Sequence, residues 1–294
     1  MPLLDVVLGY DCNLACTYCT ITDEMRRRAL PAERVAREID RAAARGYKDV
    51  AFTGGEPTLR SDLPALIKHA RRRGFEHVKV SSNGLRYAHA PYLDHLVACG
   101  VDQFHVSMHA FGDPAYEDTV RREGTAALRR AAITNLVERG LDPVADLILK
   151  SDTYRDVRAW IAALHGLGLR RFALWLVSLT DENAGKVEQL PRLSDVAPLL
   201  RPAFDDARRG GYEVLSLHVP RCFLPGDEDH VRHPGADVVT VVTPDEVFEL
   251  RDSKLTGGVK PQGCEGCRWA SACPGLRRDY VSVYGGEEVR AARG

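Results

Sequence analysis

Residues 11–19 read DCNLACTYC and hold three of the eight cysteines of the chain, in the spacing C-x3-C-x2-C. The segment follows residues 3–8, LLDVVL, an apolar run that ends at Gly9 and is typical of a buried strand. Three thiolates on one short loop can each bind one iron of a cubane iron–sulfur cluster, whereas a cluster that only carries electrons is normally held by four. The spacing predicts such a cluster on Cys12, Cys16 and Cys19 with one iron left open; a zinc knuckle or structural thiols are the alternative.

A second motif follows after one predicted helix and one predicted strand. Residues 53–57 read TGGEP. Two consecutive glycines let the backbone approach a ligand closely, a carboxylate follows at once, and the proline stiffens the exit of the segment. A Gly-Gly-Glu sequence alone is a weak turn signal, but at this distance from the cysteine motif it predicts a ligand-binding segment.

The two motifs together resemble those of the radical S-adenosylmethionine (radical SAM) superfamily, and the resemblance covers residues 1–210. It implies that the open iron is chelated by SAM and that reductive cleavage gives a 5′-deoxyadenosyl radical, which abstracts hydrogen from a substrate. It also implies roles for seven residues: Tyr18 and Val177 along the adenine, Gly54, Gly55 and Glu56 at the methionyl amine, and Ser82 and Ser107 on the ribose or carboxylate side.

The hydrophobic pattern alternates between strands and helices. Apolar runs predict strands at 3–8, 49–52, 77–80, 103–106, 144–148 and 170–176, with amphipathic helices at 31–45, 62–73, 90–99, 125–139 and 154–167. Six strand–helix repeats up to Gly210 predict an α/β fold, a partial (β/α)6 TIM-like barrel. Six strands curl without closing, so a lateral gap should remain for a substrate.

Polar residues stand at the ends of the predicted strands. In a parallel barrel the carboxyl ends of the strands form the rim where active sites collect. We therefore expect one cavity above the cluster, although each residue alone could be a cap or a turn. The candidates for its wall, without assigned catalytic roles, are Asn83, His109, Asp146, Lys150 and Trp175.

Residues 211–294 have a different character and predict a small α+β extension, with strands at 213–219, 238–242 and 247–250. Its four cysteines, Cys222, Cys264, Cys267 and Cys273, are separated by 41, 2 and 5 residues. Their spacing resembles part of the SPASM and twitch extensions, which implies a second [4Fe-4S] cluster. The full SPASM pattern needs a further cysteine near position 277, which is Arg277, so one auxiliary cluster is expected. Structural zinc is the alternative.

Composition limits the partners. Lys plus Arg number 40 and Asp plus Glu 41, so the chain has no global field that would draw it to nucleic acid. No run approaches the roughly 18 apolar residues of a membrane span, and the N-terminal residues lack a signal peptide's pattern. A cytoplasmic protein is expected, and there cysteines serve as metal ligands more often than as disulfides. The oligomeric state stays open.

The expected function is that of a radical SAM oxidoreductase that acts on a peptide or a small metabolite in natural-product or cofactor biosynthesis. The reaction would be a dehydrogenation, a cross-link or a cyclisation, with electrons from a reductant such as flavodoxin or ferredoxin. The rival is a radical SAM isomerase or methyltransferase whose C-terminal cysteines hold zinc for partner docking. A non-enzymatic iron–sulfur carrier is a third possibility.

Overall fold

The computed structural model describes residues 2–110, 112–233, 237–253 and 258–292, and its centre is a large curled sheet. Six parallel strands lie side by side in chain order. They are β1 (Leu3–Val7), β2 (Asp49–Thr53), β3 (His77–Ser82), β4 (Gln103–Ser107), β5 (Val144–Leu149) and β6 (Arg171–Leu176). The predicted partial barrel is confirmed, and each predicted strand is present.

Helices follow the strands and cover the outer face of the sheet. They are α1 (Ala32–Ala44), α2 (Leu63–Arg72), α3 (Ala90–Cys99), α4 (Asp113–Val120), α5 (Thr125–Glu138), α6 (Val157–Gly166), α7 (Leu193–Gly210) and α8 (Arg278–Tyr284). Helix α1 shows the principle, because Val35, Ile39 and Ala42 recur at helical spacing and are buried. None of the described helices combines the length and the apolar composition that a membrane crossing requires.

Three strands after Gly211 complete the edges of the same sheet. Strand β7 (Glu213–Ser216) pairs in parallel with β6, β8 (Val239–Val242) pairs in parallel with β1, and β9 (Val247–Glu249) runs antiparallel to β8. The sequence pattern places these strands in a separate extension, but an open barrel has two edges with unpaired backbone groups, and these strands pair with them. The division of the chain at residue 210 stays a prediction.

The remaining C-terminal segment contains little regular secondary structure. Strands β10 (Gly258–Val259) and β11 (Leu276–Arg277) form a small antiparallel ladder, and α8 follows directly.

The two faces of the central strands differ in chemistry. On the side of the helices, Val6, Val80, Val106 and Leu147 are fully buried. Side chains alternate along a strand, so the residues between them face the inside of the curl. This inner face carries polar side chains, namely Asp5, Lys79, His105 and Asp146. The polar interior lies next to the site described below.

Candidate active site

A cavity of about 340 Å³ lies at the carboxyl ends of the parallel strands. Most of the predicted site residues line it together, although they come from distant parts of the chain. They are Cys12, Cys16, Tyr18, Cys19, Gly54, Gly55, Ser82, Asn83, Ser107, His109, Asp146 and Trp175. The fold therefore brings the cysteine loop, the glycine motif and the strand ends to one place.

The cysteine loop is held by contacts to its backbone. Arg26 donates from Nη2 to the carbonyl of Leu14 at 3.2 Å, and Arg122 donates from Nη1 to the carbonyl of Asn13 at 3.0 Å. The loop amides of Ala15 and Thr17 donate to the last carbonyls of α4. Arg26 therefore braces this loop.

Gly54 and Gly55 are required by the close approach of two backbone segments. A Cβ on Gly55 would lie 2.2 Å from the carbonyl oxygen of Asp11, and one on Gly54 would lie 2.3 Å from that of Gly9. The amide of Gly55 donates to the carbonyl of Gly9 at 2.9 Å. The glycine motif thus packs directly against the start of the cysteine loop and lines the cavity beside it.

The carboxylate of Glu56 is buried and has four donors within the protein. Oε1 accepts from the amide and the hydroxyl of Thr58 and from Oγ of Ser82, while Oε2 accepts from the amide of Asn83 at 2.7 Å. Asn83 donates onward from Nδ2 to Oδ1 of Asn13 at 2.7 Å. Burial raises the pKa of Glu56, against the effect of these hydrogen bonds. Glu56 is absent from the cavity wall, so its contact with SAM stays a prediction.

The thiols of the loop have the chemistry of cluster ligands. Burial raises the pKa of Cys12 and raises that of Cys16 to about 12, so burial favours the neutral thiols, and a bound metal cation would favour the thiolates. Within the described ranges, no three His, Cys, Asp or Glu side chains converge on a single metal ion. A cubane makes no such demand, because each cysteine binds a different iron. The three thiols on one cavity wall fit that group.

His109 packs against Tyr18 inside the cavity. The two rings meet edge to face with their centroids 4.6 Å apart. His109 is 4% exposed, its Nδ1 has no hydrogen-bond partner, and burial lowers its pKa to about 4. A neutral imidazole whose buried Nδ1 has no hydrogen-bond partner therefore stands in the cavity wall.

Asp146 is fixed from both neighbouring strands. Its Oδ1 accepts from Trp175 Nε1 at 2.8 Å, and its Oδ2 lies 3.2 Å from His105 Nδ1. Burial raises the pKa of Asp146, but His105, Trp175 and Lys79 outweigh burial and leave that pKa below its usual value. No sequence motif marks His105, although His105 and Ser107 are two residues apart on β4 and their side chains therefore lie on the same face.

Besides Glu56, two predicted residues of the barrel lie outside the cavity wall. Lys150 is buried and donates from Nζ to Asp152 at 2.9 Å. Val177 is buried, and its carbonyl accepts from Arg277 at 2.7 Å. Both follow directly on strand ends, where the chain turns away from the rim. Their roles at the ligand stay predictions.

The four C-terminal cysteines line a second, smaller cavity of about 20 Å³. Burial, followed by the charges of Cys273, Cys264 and Cys267, raises the pKa of Cys222 to about 12. Lys260 and Trp269 line the same cavity. Cys222 is therefore brought to the same small cavity as the three cysteines of residues 264–273.

Arg277 docks this cysteine-rich segment on the barrel. It is buried and donates from Nη1 to the carbonyl of Leu176 at 2.8 Å and from Nε to Asp279 Oδ1 at 2.9 Å. Its Nη1 also lies 3.1 Å from Nδ1 of His218, whose ring meets Trp175 edge to face. The position where the SPASM pattern has cysteine thus carries a cation that binds the end of β6. No sequence motif marks His218.

The radical SAM superfamily model matches residues 6–157, just over half of the chain. The probable GTP 3′,8-cyclase of Methanopyrus kandleri is 33% identical over 164 residues, 54% of this chain and 52% of that protein. The GTP 3′,8-cyclase of Streptomyces coelicolor is 29% identical over 242 residues, 78% of this chain and 68% of that protein. The chain spans about half the length of several curated relatives that it matches.

Solved structures share the fold at low identity. SuiB of Streptococcus suis bound to S-adenosylmethionine gives a TM-score of 0.70 at 13% identity, covering 99% of this chain and 76% of that chain. The structure of anSMEcpe with bound AdoMet and a peptide gives 0.70 at 18% identity, covering 99% and 93%. The cysteine loop, the glycine motif, the partial barrel and the family match agree: the chain belongs to the radical SAM superfamily.

Proposed function

We propose that the chain is a radical SAM enzyme with two [4Fe-4S] sites, one in the barrel cavity and one in the C-terminal segment. When bound, the first cluster supplies an electron that cleaves SAM to the radical that abstracts hydrogen from the substrate. The residues of this chain bind and orient these groups and keep water out.

In the barrel cavity, Cys12, Cys16 and Cys19 would hold the first cluster. Tyr18, on the cysteine loop, would contact the adenine, and Val177 would line another part of the adenine. The backbone of Gly54 and Gly55 would meet the methionyl amine, with Glu56 behind it, and Ser82 and Ser107 would serve the ribose or carboxylate. His109 stands in the same wall.

The observation that carries the second site is the convergence of Cys222, Cys264, Cys267 and Cys273 on one small cavity. Four thiolates saturate a cubane and leave no iron open. Such a centre can accept the electron that remains on an oxidised substrate radical. We therefore favour an oxidative modification of a peptide or small metabolite in the cytoplasm, with electrons supplied by flavodoxin or ferredoxin.

A second candidate is a radical rearrangement without net oxidation. The relatives named GTP 3′,8-cyclase favour it, since those of Methanopyrus kandleri and Streptomyces coelicolor share 33% and 29% identity with parts of this chain. In that case the C-terminal thiols would hold zinc or a cluster with a binding role.

Metal analysis tests the assignment. Anaerobically reconstituted protein should carry about eight irons, and the triple change of Cys12, Cys16 and Cys19 to Ala should retain about four, because a fully ligated cluster does not need the first one. The triple variant should form no 5′-deoxyadenosine with dithionite and SAM. A triple variant with about one zinc and no iron would overturn the second cluster, and wild-type SAM cleavage in it would overturn the first.

A further inference from the structure

The part of the barrel cavity wall that the structure describes carries a single charged side chain besides the thiols. Within the described ranges its lining consists of apolar, hydroxyl, amide, thiol and imidazole groups, and Asp146 is the one Asp, Glu, Lys or Arg among them. Once the thiols hold a cluster, the carboxylate of Asp146 is the fixed charge that remains on the protein wall. A ligand in the cavity must be compatible with that charge.

Contacts from the two neighbouring strands hold the side chain of Asp146 in place and favour its charged form. Trp175 from β6 and His105 from β4 each contact one of its oxygens, at 2.8 Å and 3.2 Å. The side chain keeps 15% of its surface exposed. A carboxylate has about four acceptor positions, so positions remain for a donor that enters the cavity. A donor on a ligand would add a charge-assisted hydrogen bond to the contacts from Trp175 and His105.

The basic side chains near the cavity are engaged elsewhere. Lys150 pairs with Asp152, and Arg277 binds the end of β6 and Asp279. Lys79 acts on Asp5 and Asp146 from below the cavity and is not part of its wall. His109, with a pKa of about 4, is neutral near pH 7. Among the described residues, the wall thus offers no cation to a phosphate chain, which in proteins is bound by Arg, Lys, metal ions or helix N-termini.

We propose that the substrate presents a cationic nitrogen or an N–H donor to Asp146 and that the cavity does not take a nucleoside triphosphate. The inference rests on the proposed function, because it names the substrate class of the same cavity. It separates this chain from its relatives named GTP 3′,8-cyclase. Amines, guanidines and lysine- or arginine-bearing peptides fit the class.

The test uses the reconstituted holoenzyme with SAM bound and calorimetric titration of three probes: n-butylammonium, its matched anion n-butyrate, and GTP with Mg²⁺. We expect n-butylammonium to bind and the other two not to bind. Asp146→Asn should weaken n-butylammonium binding about tenfold, the contribution of one charged hydrogen bond. The matched control is Asp142→Asn, an exposed carboxylate, which should bind the probe as the wild type does.

Three results would overturn the inference: binding of GTP, absence of n-butylammonium binding, or equal probe affinity in Asp146→Asn and wild type. A loss of SAM affinity in Asp146→Asn would assign the carboxylate to SAM and would also overturn it. Iron content and the circular dichroism of the variant show whether it folds. SAM cleavage with dithionite is measured on the same samples: its absence in wild type defeats the proposed function, whereas cleavage with GTP binding defeats only this inference.

Discussion

The backbone amide of Asn83 donates to Oε2 of Glu56 at 2.7 Å, and the side chain of Asn83 donates to Asn13 at the same distance. Two motifs that are far apart in the sequence are therefore joined through the end of β3. Glu56 fixes Asn83, and Asn83 fixes the cysteine loop. This relationship gives the carboxylate a bracing role in addition to the amine contact implied by the family.

Replacing Glu56 by Gln tests the brace. The carboxylate faces four donors, and an amide would set its own N–H₂ group against at least one of them. An unsatisfied buried group costs about 1–3 kcal/mol. We expect Glu56→Gln to lower the free energy of unfolding by about that amount without SAM, as measured with denaturant. Exposed Glu188→Gln is the control. Unchanged stability combined with weaker SAM binding would leave Glu56 as an amine ligand only.

Gly55→Ala should disrupt the cysteine loop. The added Cβ would lie within 2.5 Å of the carbonyl oxygens of Asp11 and Tyr10, and both belong to backbone that has little freedom to move. We expect iron content and SAM cleavage to be lost together. Gly185→Ala is the matched control, because its Cβ meets nothing within 4 Å. An iron-replete Gly55→Ala protein would contradict the close packing of the two motifs.

His218 should make the protein sensitive to acid. Burial, followed by the charge of Arg277, lowers its pKa to about 3 from 6.5. A depressed pKa means that the stability it contributes is complete above pH 6.5 and is lost as the pH falls toward 3, by up to about 1.4 kcal/mol per unit. His218→Asn keeps an acceptor for the amide of Leu176 but does not titrate. We expect its free energy of unfolding to fall less than that of wild type between pH 6.5 and 5. Parallel curves would contradict this assignment.

The parts that the sequence predicts share a simple physical basis. Buried parallel strands are short apolar runs, so their pattern predicts the strands of the barrel. Two short motifs with fixed spacing predict site residues such as Cys12 and Gly55. Helix α4 is not predicted from the hydrophobic pattern, because its eight residues, DPAYEDTV, have only Tyr116 and Val120 as large apolar side chains. The roles of His105 and His218 depend on contacts with residues of other strands, which no local sequence pattern predicts. The pairing of β7 and β8 with the barrel sheet is not predicted, because the pairing partners of a strand are not encoded locally.

Arg277→Met should loosen the C-terminal segment from the barrel. Arg277 and Asp279 are a buried pair, 7% and 8% exposed, and Asp279 also accepts from the amide of Leu179 at 2.9 Å. Removal of one partner leaves an unpaired buried charge, which costs about 3–5 kcal/mol. We expect a loss of that size in denaturant unfolding, together with lower iron content at the second site. Arg278→Met, at the exposed neighbouring position, is the control.

The double change of Arg277 to Met and Asp279 to Leu separates charge from shape. Because both partners of the pair are then absent, no buried charge is left unpaired, and part of the lost stability should return. The bonds from Arg277 to the carbonyls of Leu176 and Val177 are not restored, so iron at the second site should stay low even where stability recovers. Full iron content in Arg277→Met would show that the four cysteines assemble without the dock. In that case Arg277 would serve the barrel alone.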